Sequence, residues 1–519
     1  MPDQIFHYGS DRMTASAALQ ICRGQRQATI SKDRWANIEQ CAATVKRMAE
    51  GEEAVYGINT GFGPLCSTKI SKADTTKLQH NLIMSHSVGV GETVPVEVAK
   101  LMLILKTHAL CQGYSGISPA TLKRILWHIE QDIIPAVPSQ GSVGASGDLA
   151  PLAHLFLPLI GLGQVHYQGQ RVPTAEALQS EGVDAITLQP KEGLALINGT
   201  QFIAAYAVLV CDRLQRCLSQ ADLIGAMMIE GLLGSSAPFH PALHELRPYP
   251  GNQHVAARIY QLLKGSAINA SHSDCDRVQD PYSLRCIPQV HGASRTAWLH
   301  LNECLTTELN AVTDNPIVLD DQLSISGGNF HGQPMALPLD YACLAAAELG
   351  NVSDRRSYLS LTGIDGAVPK LLMKETGTNS GFMILQYTAA ALVSENKGLC
   401  FPASADSITT SLGQEDHVSM GSISGRKALQ VVNNLEKVLA IELLCAAQAM
   451  DFQRPLTSTP ILEAVHGEMR ERVPHATEDR VFAEDIESAA AFVRSGRMVS
   501  IAQQHGLATD WEEQFEPRG

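Results

Sequence analysis

The longest uninterrupted helical pattern in the sequence is FIAAYAVLVCDRLQRCLSQADLIGAMMIEGL, which spans Phe202–Leu232. It contains no proline, and its apolar residues form a nearly continuous face when they are placed on a helix. Its length exceeds that of a typical globular helix, about 11–12 residues. Met335–Leu361, Phe382–Leu399 and Arg426–Met450 have the same character. Together these segments predict a mainly α protein, built on a large bundle of long helices with buried central members.

Shorter elements are predicted in the first half of the chain, where turn signals interrupt the apolar runs. Ser118-Pro119 predicts the start of a helix, because a serine hydroxyl can cap the first turn and proline fits there without losing a hydrogen bond. Val165–Val172 has the pattern of a hairpin, and Thr174 is predicted to cap the short helix that follows. These signals indicate a region that mixes helices with strands.

This change of character predicts a domain boundary near residue 200. We expect a smaller mixed N-terminal domain over residues 1–200, and a long-helix bundle with a C-terminal helical region over residues 201–519. A further short hairpin is predicted between Ile317 and Ser326. A chain of 519 residues is too long for one ordinary core, which agrees with two domains.

The composition argues against several classes of function. Hydrophobic residues make up 45% of the chain and charged residues 18%, which is typical of a globular protein. The formal net charge is −14 and no long run of lysine and arginine occurs, so we expect no nucleic-acid partner. No apolar run reaches the roughly 18–20 residues that a membrane span needs, so we expect no membrane association.

The N-terminal residues and the cysteines both favour the cytoplasm. Residues 1–12 lack a basic stretch followed by an apolar one, so no signal peptide is predicted. The 12 cysteines are scattered, without a Cys-x-x-Cys pair or a metal-ligand spacing. We therefore expect reduced and mostly buried thiols, no metal ion and a cytoplasmic location.

Glycine-rich stretches stand between the predicted helices, and none has the pattern of a phosphate-binding loop. One of them contains Ala145-Ser146-Gly147, whose small side chains allow a sharp backbone bend and a close approach of atoms. The Gly147 amide nitrogen can attack the Ala145 carbonyl carbon, and loss of water then closes a five-membered ring. Loss of a second water from Ser146 leaves an exocyclic methylidene, a strong electrophile that needs no added cofactor.

The residues around this tripeptide resemble the signature of the aromatic amino acid ammonia-lyases. Gly144–Leu152 reads GASGDLAPL, and these enzymes carry 4-methylidene-imidazol-5-one formed from that Ala-Ser-Gly. Further segments match the family, in the family's order, along most of the chain. They are YGINTGFG at Tyr56–Gly63, NGTQ at Asn198–Gln201, QDPYSLRC at Gln279–Cys286, GGNFH at Gly327–His331 and QEDHVSM at Gln414–Met420.

The resemblance implies a mainly α fold of the fumarase–aspartase type and a homotetramer whose active sites are shared between subunits. It implies a carbon–nitrogen lyase that acts on a small amino acid. The prosthetic group would form autocatalytically from Ala145, Ser146 and Gly147, with no external cofactor. Within the family the sequence is most similar to the histidine-specific members, which implies non-oxidative conversion of L-histidine to trans-urocanate and ammonia.

The resemblance also assigns roles to residues outside the tripeptide. Tyr56 is the candidate general base for the β-proton; since a free tyrosine has a pKa of about 10, coupling to its neighbours is required near neutrality. Arg285 can hold the substrate carboxylate through two parallel hydrogen bonds, a geometry that lysine cannot copy. Tyr282 is assigned to proton transfer or orientation, and Asn198 to a position near the prosthetic group and the substrate.

The remaining candidates concern the substrate pocket. Gln279 and Phe330 are carried over as pocket residues. His86 follows Ser85, and this Ser-His pair resembles the histidine-specific form of the family's selectivity segment. Glu415 stands where phenylalanine and tyrosine lyases carry glutamine. A carboxylate suits an imidazole with N–H donors, whereas burying it unpaired beside a phenyl ring is costly.

Other interpretations stay open from the sequence alone. A phenylalanine or tyrosine ammonia-lyase, or an aminomutase that returns ammonia to the β-carbon, has the same motifs. Gly413 and Gln333 depart from the asparagine and glutamate that histidine-specific members usually carry. His331 and His417 are expected to be structural, with internal hydrogen bonds. The intact tripeptide, Ala145-Ser146-Gly147, argues against an inactive helical oligomer.

Overall fold

Helices account for most of the described chain in this computed structural model. Tyr56, the candidate base, lies outside the residues that the structure describes. Those residues are 5–52, 55, 57–61, 70, 72–273 and 277–507.

The helices of the first 200 residues are shorter than those of the rest of the chain. They are α1 (Ala15–Cys22), α2 (Lys32–Glu50), α3 (Lys72–His86), α4 (Val96–Leu110), α5 (Pro119–Glu130), α6 (Leu149–Phe156), α7 (Thr174–Ser180) and α8 (Glu192–Ile197). The helices that follow are α9 (Gln201–Gly231), α10 (Pro241–Glu245), α11 (Pro250–Leu263), α12 (Ala267–Ala270), α13 (Tyr282–Arg285), α14 (Ile287–Leu309), α15 (Gln333–Leu361), α16 (Met383–Leu399), α17 (Gly421–Asp451), α18 (Pro460–Arg472), α19 (Phe482–Ser495) and α20 (Arg497–Gln504).

Strands are short, and they pair in small separate sheets. They are β1 (Phe6–His7), β2 (Ala28–Thr29), β3 (Val90–Thr93), β4 (Ile134–Pro135), β5 (Pro138–Gln140), β6 (Gln164–Tyr167), β7 (Gln170–Pro173), β8 (Ile317–Val318) and β9 (Ser324–Ile325). β1 pairs with β2 in parallel, whereas β3–β5, β4–β6–β7 and β8–β9 are antiparallel. The two predicted hairpins are therefore confirmed as β6–β7 and β8–β9.

The long-helix predictions are confirmed as α9, α15, α16 and α17, with ends that differ by a few residues from the sequence patterns. α9 and α17 pack against each other, α15 packs against both, and α14 packs against α9 and α15. α9 and α17 are buried on nearly every side, which explains why apolar residues are abundant in both sequences. α1 and α4 pack on α9, so the shorter elements lie against the bundle. The boundary near residue 200 stays a prediction.

Buried ion pairs tie the bundle helices together. The Arg356 guanidinium of α15 donates to the Glu442 carboxylate of α17, with Nη2 2.9 Å from Oε2, and both side chains are fully buried. Asp222 of α9 accepts hydrogen bonds from Arg295 and from His291 Nδ1 of α14. Although burial opposes it, Arg295 holds the pKa of Asp222 well below its usual range. Removing one partner of such a pair costs about 3–5 kcal/mol, so these contacts fix the register of the helices.

Of the two helix caps predicted from the sequence, one is confirmed and the other is wrong. The Ser118 hydroxyl accepts a hydrogen bond from the Thr121 amide at 3.3 Å, which confirms it as the cap of α5. The prediction for Thr174 is wrong, because Pro173 holds the cap position and Thr174 is the first helical residue. β7 runs directly into α7, so the chain has no turn in which the Thr174 hydroxyl could fold back.

Two further properties of the described chain are the state of its cysteines and the hydropathy of its helices. Every described cysteine is a free thiol and most are buried, as the sequence predicts. Within the described ranges, no helix is both long enough and apolar enough to cross a lipid bilayer.

Candidate active site

A single cavity of about 1190 Å³ collects most of the predicted site residues. Its wall is built from segments that are far apart in sequence: the end of α3, the turn before α6, the end of α8, the loop before α15 and the loop before α17. Predicted site residues that line it are His86, Ala145, Ser146, Asn198, Phe330 and Glu415.

The backbone is sharply bent at the tripeptide. Ala145 and Gly147 face each other across Ser146 as a bridge pair. Gly147 has a φ of +73°, and a Cβ placed on it would collide with the carbonyl oxygen of Gly199. Only glycine fits this close approach.

Asp148 anchors this turn to the first turn of α9. Its Oδ2 accepts hydrogen bonds from the amides of Phe202 at 3.1 Å and Ile203 at 3.0 Å, and its Oδ1 accepts one from the Ser142 hydroxyl at 3.1 Å. Its backbone amide donates to the Gly199 carbonyl at 2.8 Å. Burial raises the pKa of Asp148 to about 7, against the effect of these hydrogen bonds.

Glu415 places a carboxylate beside the reactive serine. Its Oε1 accepts a hydrogen bond from the Ser146 hydroxyl at 3.0 Å. Its Oε2 accepts hydrogen bonds from the hydroxyls of Thr410 at 2.7 Å and Ser411 at 2.9 Å. Three hydroxyl donors hold the carboxylate in one orientation, and hydrogen bonds to a charged acceptor are the stronger kind.

Asn198 presents an acceptor to the same cavity. It ends α8, and its side-chain Nδ2 donates to the Asn315 carbonyl at 2.9 Å. Its Oδ1 is buried and has no hydrogen-bond partner among the described residues. A buried orphan acceptor is costly, so this atom is suited to receive an N–H from a bound molecule. Asn198 does not cap α9, since Thr200 holds that position.

His86 completes the wall at the end of α3. Its Nδ1 is 3.1 Å from the Ser85 hydroxyl. Burial lowers the pKa of His86, although the Glu415 carboxylate acts in the opposite direction. A neutral imidazole can both donate and accept a hydrogen bond, which suits it to a polar substrate ring.

His331 and His417 combine contacts inside the protein with a place in the cavity wall. His331 accepts a hydrogen bond from the Gln333 amide at 3.3 Å, and its Nε2 is 3.3 Å from the His417 carbonyl, as expected for a structural histidine. The two imidazole rings stack at a centroid distance of 5.6 Å. Both rings also line the cavity, a placement that the sequence did not predict.

The other predicted residues lie elsewhere on the chain. Gln279 and Arg285 line a second cleft of about 890 Å³, which shares no lining residue with the first. The Arg285 Nε is buried and has no hydrogen-bond partner among the described residues. Tyr282 is 71% exposed, and the Arg285 guanidinium lies 4.7 Å from its ring centroid. Among the described residues, the predicted carboxylate clamp and Ser146 therefore line different cavities.

Sequence reasoning missed several residues that shape the first cavity. Asp148 lay within the quoted motif, but nothing in the sequence signalled its bonds to α9. Thr410 and Ser411 precede Glu415 closely, and their hydroxyls were a detectable signal. Lys106 follows the apolar run Leu101–Leu105, and its partner Asn198 lies 92 residues further on, so no local pattern joins them.

Comparison with known proteins identifies the family. The model of the aromatic amino acid lyase family matches residues 13–471, and the chain belongs to this family. It is 47% identical over 496 residues to a histidine ammonia-lyase of Anaeromyxobacter sp. (strain K), covering 94% of this chain and 98% of that protein.

Solved structures give the same result for the fold. The crystal structure of histidine ammonia-lyase from Trypanosoma cruzi matches with a TM-score of 0.90 and 40% identity, covering 98% of this chain and 96% of that one. The tyrosine aminomutase of Streptomyces globisporus matches with a TM-score of 0.91 and 33% identity, covering 97% and 99%. The fold is thus the mainly α, fumarase–aspartase type that the resemblance implied.

Proposed function

We propose that the protein is a histidine ammonia-lyase, which converts L-histidine to trans-urocanate and ammonia without oxidation. The observation that carries this proposal is the Glu415 carboxylate, held in the cavity beside Ser146 and on the same wall as His86. The family match establishes the lyase chemistry, and the histidine ammonia-lyases similar over nearly the whole chain favour histidine as substrate.

Part of the proposal is that Ala145, Ser146 and Gly147 form 4-methylidene-imidazol-5-one. The bent backbone pair, the close approach at Gly147 and the Ser146 hydroxyl on a carboxylate fit this group. When present it supplies an electrophile that makes ammonia loss possible. Glu415 is placed to orient the Ser146 hydroxyl through a hydrogen bond and to orient the substrate imidazole, and Asn198 Oδ1 is placed to accept an N–H.

The remaining roles complete the proposed site. Tyr56 removes the β-proton, and Arg285 holds the substrate carboxylate through its two-pronged guanidinium. Tyr282, which stacks on Arg285, orients the substrate or transfers a proton. Gln279 and Phe330 contact the substrate. We further propose a cytoplasmic location, which the free thiols of the described cysteines support.

We propose a homotetramer in which one subunit supplies the cavity and another supplies the second cleft. Separation of Ser146 from Arg285 within one chain supports this arrangement. Large apolar side chains on α15 and α16 are about half exposed, which is typical of an interface rather than of a free surface. They are Leu337, Tyr341, Leu344, Tyr358, Ile384 and Tyr387.

Shared sites predict that two inactive variants restore activity when they assemble together. Ser146→Ala damages the cavity and Arg285→Met damages the cleft, so each alone is expected to be nearly inactive. A mixed oligomer contains sites with an intact cavity from one chain and an intact cleft from the other. We expect histidine turnover by co-expressed, co-purified chains to exceed that of either parent by at least about tenfold.

The matched control combines Ser146→Ala with Asn198→Ala, which both damage the cavity. Every site of that mixed oligomer carries one defect, so no restoration is expected. Equal recovery in both mixtures, or recovery in neither, would show that the cavity and the cleft of one site do not come from different chains.

Glu415→Gln is expected to reduce mainly the activity on histidine. The amide keeps the size of the side chain but loses the charge that pairs with the imidazole N–H, a contact worth about 1.5–3 kcal/mol. We therefore expect kcat/KM for histidine to fall about 10–100-fold, with any trace activity on phenylalanine unchanged. His86→Leu should further reduce the ratio of kcat/KM for histidine to kcat/KM for phenylalanine. Ultraviolet detection of each product measures both effects, and an unchanged histidine kcat/KM in Glu415→Gln would remove Glu415 from substrate recognition.

A phenylalanine or tyrosine lyase, or an aminomutase, is the alternative within the same family. The likeness to a tyrosine aminomutase structure supports the shared fold and chemistry. The carboxylate of Glu415 argues against phenylalanine as the substrate, because a phenyl ring has no polar hydrogen to donate to that charge.

A further inference from the structure

A buried ammonium group with no assigned role lies behind the cavity. Lys106 projects from α4, is 1% exposed, and its Nζ donates to the Asn198 carbonyl oxygen at 2.5 Å. Among the described residues this is the one hydrogen bond that the Lys106 ammonium makes. Burial lowers the pKa of Lys106 to about 8, although Asp314 acts in the opposite direction. Removing an ammonium from water is expensive, so such a group is retained only where it contributes something specific.

The nearby carboxylate is paired with another lysine, so the hydrogen-bond partner of the Lys106 ammonium is the Asn198 carbonyl. Asp314 is paired with a second buried lysine, Lys191, at 2.7 Å between Oδ2 and Nζ. Lys191 also donates to the Ser115 carbonyl at 2.9 Å. The Asp314 carboxylate thus has its own partner, and the Lys106 ammonium is directed at the end of α8.

The carbonyl that Lys106 holds belongs to the residue that faces the substrate cavity. Asn198 is fixed at three points: its amide donates to the Leu194 carbonyl at 2.9 Å, its Nδ2 donates to the Asn315 carbonyl at 2.9 Å, and its carbonyl accepts from Lys106. The free Oδ1 is the atom left for a ligand. The last carbonyls of a helix lack intrahelical partners and carry partial negative charge, so a cation at this end is favourable.

The next peptide along the chain supports the reactive turn. Gly199 follows Asn198, and its carbonyl accepts the Asp148 amide at 2.8 Å and lies against Gly147 too closely for any side chain there. A shift of the Asn198–Gly199 peptide would therefore move both the cavity amide and the backing of Ala145-Ser146-Gly147.

We propose that Lys106 is a positioning residue, which holds the Asn198–Gly199 peptide so that Asn198 Oδ1 is aimed at the substrate and the tripeptide turn is supported. The inference rests on the proposed function, because it gives that site a supporting group. Lys106 does not touch the substrate. It acts through Asn198 and Gly199, and its loss displaces atoms that must be held within a fraction of an ångström for turnover.

The test compares Lys106→Met, Lys106→Arg and wild type as purified full-length proteins. Methionine is an unbranched side chain of similar length that cannot donate a hydrogen bond, whereas arginine keeps the charge and the donor. We expect kcat for Lys106→Met to fall about 100-fold with KM changed less than about threefold, since a small misplacement of reacting groups costs rate more than binding. Lys106→Arg should recover most of that loss. Intact mass reports separately how many chains have lost two waters, and kcat is calculated per such chain.

One control and one replacement variant make the outcome decisive. Lys100→Met, on the same helix, removes a lysine whose partner Asp132 is largely exposed, and it should behave as wild type. If Lys106→Met does not fold, Lys106→Gln replaces it: the amide is uncharged and one bond shorter, so it cannot reach the Asn198 carbonyl, and the same fall in kcat is expected.

Wild-type kcat in Lys106→Met or Lys106→Gln would overturn the proposal, as would an arginine variant that is as impaired as the methionine variant. These results are distinguishable from a failure of the proposed function. That failure would appear in the wild-type protein, as an absent mass deficit or absent turnover of histidine. If wild type turns over a different amino acid, the same comparison of Lys106 variants is made with that substrate.

Discussion

Ser146→Ala is expected to lose nearly all activity, by at least about 10³-fold, and to have the mass that its sequence gives. The wild-type chain should weigh less than its sequence by two water molecules. The first water leaves when the Gly147 nitrogen attacks the Ala145 carbonyl, and the second leaves with the Ser146 hydroxyl. Alanine has no hydroxyl to lose, so the electrophile cannot form.

Intact-mass spectrometry and an ultraviolet assay on the same samples check this expectation. Ser139→Ala, in strand β5 ahead of the turn, is the control and should keep both the mass deficit and the activity. Borohydride should inactivate the wild-type protein by reducing the methylidene. An active enzyme with an unmodified Ser146 would contradict the proposed prosthetic group.

Tyr56→Phe is the second change with a large expected effect. A positioned general base contributes about 10²–10⁴-fold, and phenylalanine keeps the ring while removing the group that takes the proton. Because the β-proton is removed only in the transition state, kcat should fall by that factor while KM changes little. Thr60 and Gly61, which follow Tyr56 by a few residues, line the cavity with Ser146.

Steady-state kinetics on L-histidine measure the effect. Tyr167→Phe, a surface tyrosine that donates to Glu181 at 2.7 Å, is the control and should leave kcat unchanged. Near-normal kcat in Tyr56→Phe would place the base elsewhere, and Tyr282 would be the next residue to test.

Local patterns in the sequence were enough to predict the long helices α9, α15, α16 and α17. The runs that became α9 and α17 are rich in apolar residues because both helices lie in the centre of the bundle. The cap at Ser118 was also predictable, because its hydrogen bond joins residues only three positions apart. Thr174 failed because capping depends on the path of the preceding strand, which its residue type does not encode.

The site was only partly predictable, because its chemistry depends on contacts between distant segments. The Ser146–Glu415 hydrogen bond joins residues 269 positions apart, and motif order suggested the pair without giving its geometry. The Lys106–Asn198 contact had no sequence signal at all. The separation of Arg285 from Ser146 also could not be read from the sequence, since it depends on which faces of the helices point towards solvent.

The most direct test of the proposed function is the comparison of three substrates with wild-type enzyme. L-Histidine, L-phenylalanine and L-tyrosine are offered separately, and formation of the unsaturated acid is followed in the ultraviolet. A site built around polar contacts to the substrate ring can reject an analogue lacking them by about 10⁴-fold. We expect kcat/KM for histidine to exceed the other two by that order. Faster turnover of phenylalanine or tyrosine than of histidine would contradict the proposed substrate.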